Sequence, residues 1–218
     1  MKWLIKLIFI LSPVAVQAYE EDGNQWLSLT AQGIIQSNLG GYIEGQARRS
    51  NRQEKVYEYL LRPAFYFKTE NSGSFFVGTL KRFDYKTEEN ENRQWIQWLK
   101  SYNLNSFKIT TRFRQEYRDL KSVDQISHRS RLMLRGASDE ISIGSHWKPF
   151  LASELFYNWN DAGSLKKGLQ QSRNSIGAGT SLGSMVTLEA SYMLQILNNS
   201  VKEDQLNHNL VLGFNFNI

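Results

Sequence analysis

Cysteine is absent from the 218 residues, which excludes disulfides, a thiol nucleophile and thiolate metal sites, and leaves strand closure and packing to hold the chain together. Prolines number three, and beyond the first residues no run approaches the ~20 apolar residues of a membrane-spanning helix, so a helical membrane protein is excluded. Histidine is scarce and scattered, at His128, His146 and His208, with no cluster at metal-ligand spacing. Neither a metal nor a cofactor is expected. The acidic residues Glu88, Glu89 and Glu91 read as a solvated loop run. Strong charge of one sign is missing too. Once Lys2 and Lys6 leave with a leader, 24 basic residues face 21 acidic ones, a net charge of +3 and too mild for a nucleic-acid surface.

What is present begins with that leader. Lys2 and Lys6 flank the start of an apolar core through Leu7, Ile8, Phe9, Ile10 and Leu11, and Val16-Gln17-Ala18 offers a small-residue cleavage site, the pattern of a secretory signal peptide. Residues 1–18 are therefore expected to be removed, leaving residues 19–218 as one domain, since no compositional break divides them.

Past the leader the hydrophobic period is two almost throughout. Strands are expected at residues 25–36, 39–49, 55–68, 73–85, 92–102, 107–118, 126–136, 147–158, 169–182, 186–196 and 205–218. These lengths suit tilted membrane strands. Short turns at Ser37-Asn38, Asn71 to Gly73, Asn103 to Ser106 and Gly183-Ser184 alternate with longer polar connections at 49–54, 86–91, 119–125, 160–168 and 198–204. Outer-membrane barrels alternate in this way, with short turns on the periplasmic side and long loops outside. Eleven strands is an odd count where single-chain bacterial barrels have an even one. The even rule predicts either a twelfth strand, from a split of residues 137–158 around Ile141, Ile143 and Trp147, or ten through loss of the first segment. The expected fold class is all-β, an antiparallel transmembrane β-barrel of about 10 to 12 strands.

Two further signals favour a membrane. In the last segment Leu210, Leu212, Phe214, Phe216 and Ile218 alternate with Asn209, Val211, Gly213, Asn215 and Asn217, and so greasy an edge on a soluble protein would invite aggregation. Aromatic residues near strand ends (Tyr57, Tyr59, Tyr85, Trp98, Tyr102, Tyr117, Tyr157, Trp159 and Tyr192) suit interfacial girdles.

Candidate functional residues come from residues 107–135. Arg112, Arg114, Glu116 and Arg118 share one strand face, against Phe107, Ile109, Phe113 and Tyr117 on the other. After the loop, Arg129, Arg131 and Arg135 oppose Leu132 and Leu134. In a soluble sandwich this polar face would be solvated, whereas in a membrane barrel it lines the lumen. With Glu154, Arg173 and Glu189 from later strands, these residues form a candidate ligand-binding charge array. One reading is a structural Arg/Glu plug, with Glu116, Glu154 and Glu189 as counterions of Arg112, Arg114, Arg129 and Arg131. The other is an anion site, in which the same four arginines hold a phosphate or a sugar acid. No catalytic set is assigned. His128 is expected on the lipid-facing side beside Ser127 and Ser130, as unrelated neighbours rather than a triad, and the chain is not expected to be an enzyme. Gly177 and Gly179 fall inside a strand and are expected to relieve crowding in the lumen.

Several of these residues together resemble a known family. They are Trp26, Leu60-Leu61-Arg62-Pro63, the alternating Glu91, Arg93, Trp95 and Gln97, and the run Arg112 to Arg118 followed by Arg129 and Arg131. Glu154-Leu155-Phe156, Gln171 with Arg173, and Glu189 through Tyr192 to Gln195 complete the pattern. It is similar to the domain of unknown function 2490 family of small bacterial outer-membrane β-barrel proteins. The resemblance implies an outer-membrane barrel and brings no activity or ligand with it.

The expected role is therefore structural or small-solute related, in the outer membrane of a Gram-negative cell, with a charged and largely plugged lumen. Expected partners are outer-membrane lipid and lipopolysaccharide, and the barrel-assembly machinery during insertion; a monomer is expected and nucleic acid is not. The alternative is a membrane-embedded lipid- or lipopolysaccharide-modifying enzyme. A third reading is a soluble periplasmic lipid-binding barrel, which requires apolar residues to face inward.

Overall fold

Alternating segments joined by tight turns pair most readily with their sequence neighbours, and repeated pairing of that kind builds a meander. The computed structural model describes residues 20–50, 56–85, 90–121, 123–138, 140–144, 146–198 and 204–218, with the side chains of residues 20–22 outside that set. The expected signal peptide at residues 1–18 and the loop positions Glu88, Glu89 and Lys202 lie outside the described residues.

Eleven strands follow one another: β1 (Glu20–Gln36), β2 (Leu39–Ser50), β3 (Val56–Thr69), β4 (Gly73–Asp84), β5 (Glu91–Leu104), β6 (Phe107–Leu120), β7 (Ser127–Ser138), β8 (Lys148–Asn158), β9 (Gly168–Leu182), β10 (Val186–Leu197) and β11 (Gln205–Asn217). They close into one all-β barrel in which each strand pairs antiparallel with its sequence neighbours, and β1 meets β11. The described residues contain no helix long and apolar enough to cross a membrane.

The even-count expectation is overturned. Residues 137–158 yield one strand, with Ile143 and Trp147 forming only an isolated bridge, and the first segment is in place. An up-and-down meander with an odd number of strands brings its first and last strands into the same direction, so closure must be parallel. The β1–β11 ladder runs in parallel register from Glu20 opposite Gln205 to Gln32 opposite Asn217. Its evenly spaced, slanted hydrogen bonds close the barrel without leaving an edge. One consequence is topological: β1 starts at the end that carries the long connections, and β11 finishes at the end that carries the short turns.

The alternation of connections holds with one exception. Two-residue turns join β1 to β2 and β5 to β6, and a three-residue link joins β9 to β10, helped by Asn105 (φ 50°) and Gly183 (φ 79°), which take the left-handed region that a tight hairpin needs. The nine-residue β7–β8 connection lies on that same short-turn end. At the opposite end the β8–β9 connection folds back on itself through an Ala162–Leu165 bridge. Its Ala162 is fully buried, and Gly163 packs so closely on Val123 of the β6–β7 connection that a Cβ there would lie 2.6 Å from a valine methyl.

The strands turn their apolar faces outward. Val77, Ile96, Ile176 and Leu210 are each 60 to 61 % exposed. Tyr59, Tyr85, Tyr102, Tyr117, Tyr157, Trp159 and Tyr192 are exposed on the outer surface as well. Inside, an aromatic cluster of Leu60, Ala64, Tyr66, Phe76, Leu80 and Trp95 packs against one wall. It surrounds the one break in the β3–β4 ladder, where pairing skips Arg62 and Pro63. Proline has no N–H to offer there, and the Trp95 indole Nε1–H donates instead to the Thr79 carbonyl at 3.1 Å. Gly177 performs the spacing role expected of it. A Cβ at that position would lie 2.5 Å from the Ala190 carbonyl oxygen and 2.8 Å from the ring of Phe150, which occupies the lumen beside it.

Candidate functional site

Period-two alternation places every second residue of each strand in the lumen, so strands of sequence Arg-x-Arg-x-Glu-x-Arg deliver stacked charges to one enclosed space. Arg112, Arg114, Glu116 and Arg118 of β6 and Arg129 and Arg131 of β7 all point inward, and β6–β7 pairing sets Arg114 opposite Arg131 and Glu116 opposite Arg129. Glu116, 1 % exposed, is the hub. It accepts from Arg129 Nη2 and Nε at 2.5 and 2.9 Å and from Arg131 Nη1 at 2.8 Å. Arg131 then reaches Glu154 of β8 through Nε (2.8 Å) and Nη2 (3.0 Å), and Arg112 reaches the same carboxylate at 2.7 Å. A chain of fork-shaped contacts thus runs from β6 across β7 to β8.

A second hub lies beside the first. Glu91, also 1 % exposed, receives two donors from Arg93 at 2.6 and 2.8 Å and two from Arg118 at 2.6 and 3.2 Å. Its reading as a loop residue is thereby corrected: β5 starts at Glu91, one residue earlier than expected, and the period-two pleat then aims that carboxylate inward with Arg93, Trp95 and Gln97. Further round the barrel Glu58 pairs with Arg48 (2.5 Å) and Arg82 (2.8 Å), Arg82 also contacts Asp84, and Glu44 accepts from Arg62 and from the Tyr42 hydroxyl, both at 2.5 Å.

Eleven inward arginines share seven inward carboxylates among the described residues. The surplus is met by neutral groups. Arg114, 2 % exposed, gives two hydrogen bonds to the Gln97 amide oxygen (2.9 and 2.6 Å) and lies over the Trp95 ring at 4.3 Å, with Glu116 only at 3.8 Å. Arg173 has no carboxylate within 4 Å among the described residues. With the Gln171 amide oxygen turned toward it, that oxygen accepts from Arg173 and from Gln195, while the guanidinium lies over Phe156 at 4.7 Å and Trp26 at 5.0 Å. Aromatic faces carry negative potential and so suit cations that lack a counterion. Trp26, Trp95 and Phe156 entered the sequence reading only through the family pattern and not through the charge array. The available signal was parity, since Trp95 and Phe156 stand at even spacing from Arg93 and Glu154.

One expected counterion belongs elsewhere. Glu189 pairs with Arg135, at 2.7 and 3.1 Å, and not with Arg112, Arg114, Arg129 or Arg131. The two meet across the lumen from β10 and β7, which are not adjacent strands. Their side chains are 26 and 29 % exposed, and Arg112 is 20 % exposed. The lumen is therefore uneven: tightly filled around Glu91, Glu116 and Arg129, and open to solvent toward the short-turn end, where Arg112, Arg135 and Glu189 line a vestibule.

The histidines take no part in the lattice. His128 faces outward and packs edge-on against Tyr117 with ring centroids 4.4 Å apart, whereas Ser127 faces inward and is fully buried, so these chain neighbours sit on opposite sides of the wall. Ser130, outward like His128, donates to Gln115 at 2.5 Å and accepts from Trp159 at 2.7 Å. His208 shares a 2.5 Å hydrogen bond with the Tyr192 hydroxyl on the outer wall. Among the described residues no group of three or more His, Asp or Glu is placed to hold a metal ion.

Comparison with family models matches residues 23–207 to the family described as protein of unknown function, DUF2490, and the chain belongs to that family. Neither the curated proteins nor the solved structures contain a match.

Proposed function

We propose that the protein is an outer-membrane β-barrel, inserted after cleavage of its leader, whose lumen is plugged near the long-loop end by the arginine–carboxylate lattice and which serves a structural or small-solute-related role. The observation that carries this reading is the inverted polarity of the wall. Large apolar side chains stand exposed around the outside while Glu91, Glu116 and Arg114 are almost fully buried inside. Water cannot solvate such an outer face cheaply, at roughly 25 cal/mol per Å² of apolar surface, whereas lipid does. A soluble lipid-binding barrel needs the opposite arrangement. Strands of 11 to 17 residues exceed the ~9–11 that a tilted strand needs to cross the hydrocarbon. A lipid-modifying site built on His128 would require a serine within hydrogen-bond reach of it, whereas His128 packs on Tyr117, Ser127 faces the lumen, and Ser130 is bonded to Gln115 and Trp159.

Cell fractionation tests the proposal. The mature chain is expected in the outer-membrane fraction, in a form whose gel mobility changes on heating; recovery in the soluble periplasm contradicts it.

A further inference from the structure

A groove of about 690 Å³ crosses the outer wall over the parallel β1–β11 seam. Strand register builds it. Ile176, Tyr192, Leu210, Gln25 and Arg49 are successive ladder partners from β9 to β2, and form one row across five strands. Leu27 and Leu212 wall the groove, and the small side chains of Ala47 and Ala190 give it depth. Ile176 lies midway along β9 whereas Arg49 is one residue from the long-loop end of β2, so the row climbs toward that end. Four strand spacings of ~4.8 Å span about 19 Å, and at a strand tilt of ~40° the row rises about 12 Å, close to the ~15 Å depth of one leaflet.

The upper end of this apolar row is a cation. Arg49 is exposed, and among the described residues no carboxylate pairs with it, in contrast to every arginine of the lumen except Arg173. Gln25, its ladder partner and also exposed, adds amide donors and an acceptor. A guanidinium at interface height above a one-leaflet apolar groove complements one kind of molecule, an acyl chain ending in a phosphate.

We propose that this groove is a binding site for a phosphorylated lipid of the leaflet at the long-loop end, with an acyl chain along Ile176, Leu210 and Leu27 and the phosphate on Arg49. The inference rests on the membrane reading above, and its test separates the two. The full chain is reconstituted in vesicles containing equal amounts of phosphatidylglycerol and diacylglycerol with matched chains, floated, then extracted in mild detergent, and retained lipid is counted by native mass spectrometry. Retention of phosphatidylglycerol is expected to exceed that of diacylglycerol by about tenfold, the worth of one charge-assisted contact. Arg49→Gln should abolish the preference, and the double variant Ala47→Leu with Ala190→Leu, which fills the groove from the lipid side, should lower retention of both lipids. A floated chain that retains both lipids equally, or that keeps its preference in Arg49→Gln, overturns the site and leaves the membrane reading standing. A chain that does not float with the vesicles overturns both.

Discussion

Replacing Glu116 by Gln tests whether the lattice is a dry structural plug. The substitution keeps the shape and one acceptor oxygen but removes the charge that Arg129 and Arg131 share through three hydrogen bonds of 2.5 to 2.9 Å. Arg131 retains Glu154. Arg129 is left with neutral partners in place of its carboxylate, namely the amide oxygen at position 116, the Gln170 oxygen at 3.3 Å and the face of Phe156 at 5.2 Å. An uncompensated buried cation of this kind costs about 3–5 kcal/mol, whereas the same change in a water-filled lumen costs about 1 kcal/mol or less. Glu189→Gln is the internal control, because its ion-pair partner among the described residues, Arg135, is 29 % exposed and the expected loss is about 1 kcal/mol or less. Urea titrations of the reconstituted barrel, followed by gel mobility and tryptophan fluorescence, measure both. Equal midpoint shifts for the two variants, or none for Glu116→Gln, would refute the dry-plug argument.

Within the lattice, Arg131→Gln should destabilise the barrel far more than Arg112→Gln in the same titration, because Arg131 bridges Glu116 and Glu154 while Arg112 holds Glu154 alone. Gly177→Ala should cost about 1–3 kcal/mol by driving a methyl into the Ala190 carbonyl and the Phe150 ring, read as a lowered urea midpoint. Deleting residues 209–218 removes most of β11 from both of its ladders and should abolish the heat-modifiable form, since an open barrel leaves strand edges unpaired. Cysteine placed at Lys121 or Lys166 should react with an impermeant maleimide on intact cells, while cysteine at Ser72 or Ser184 should not; the reverse pattern would invert the orientation.

The strands themselves were legible because period-two alternation is a local signal: β6, expected at residues 107–118, runs Phe107–Leu120, and β10, expected at 186–196, runs Val186–Leu197. The inward direction of Arg112, Arg114, Glu116, Arg118, Arg129 and Arg131 followed from the same parity. Parallel closure follows from the eleven segments that the period marks, and it was passed over because the even-count rule for single-chain barrels was set above that count. Glu91 was misplaced for a boundary reason, since a strand start shifted by one residue decides whether its first side chain counts as loop or lumen. The Arg135–Glu189 pair was missed because neighbour-strand reasoning cannot see contacts made across a lumen between β7 and β10. Cation–ring contacts such as Arg48 over Trp26 at 3.8 Å depend on side-chain reach in three dimensions and left no mark beyond shared parity.

The proposed membrane insertion sets the apolar face of the wall against lipid and keeps the charged face from it. Because the sequence has no native cysteine, single spin labels can be placed along β11 and their relaxation measured in vesicles with oxygen, which concentrates in hydrocarbon, and with a water-soluble nickel chelate. High oxygen and low nickel accessibility are expected at positions 210, 212, 214 and 216, with loss of that preference at 211, 213 and 215. Nickel accessibility at 210, 212 and 214 equal to or above that of oxygen would contradict it.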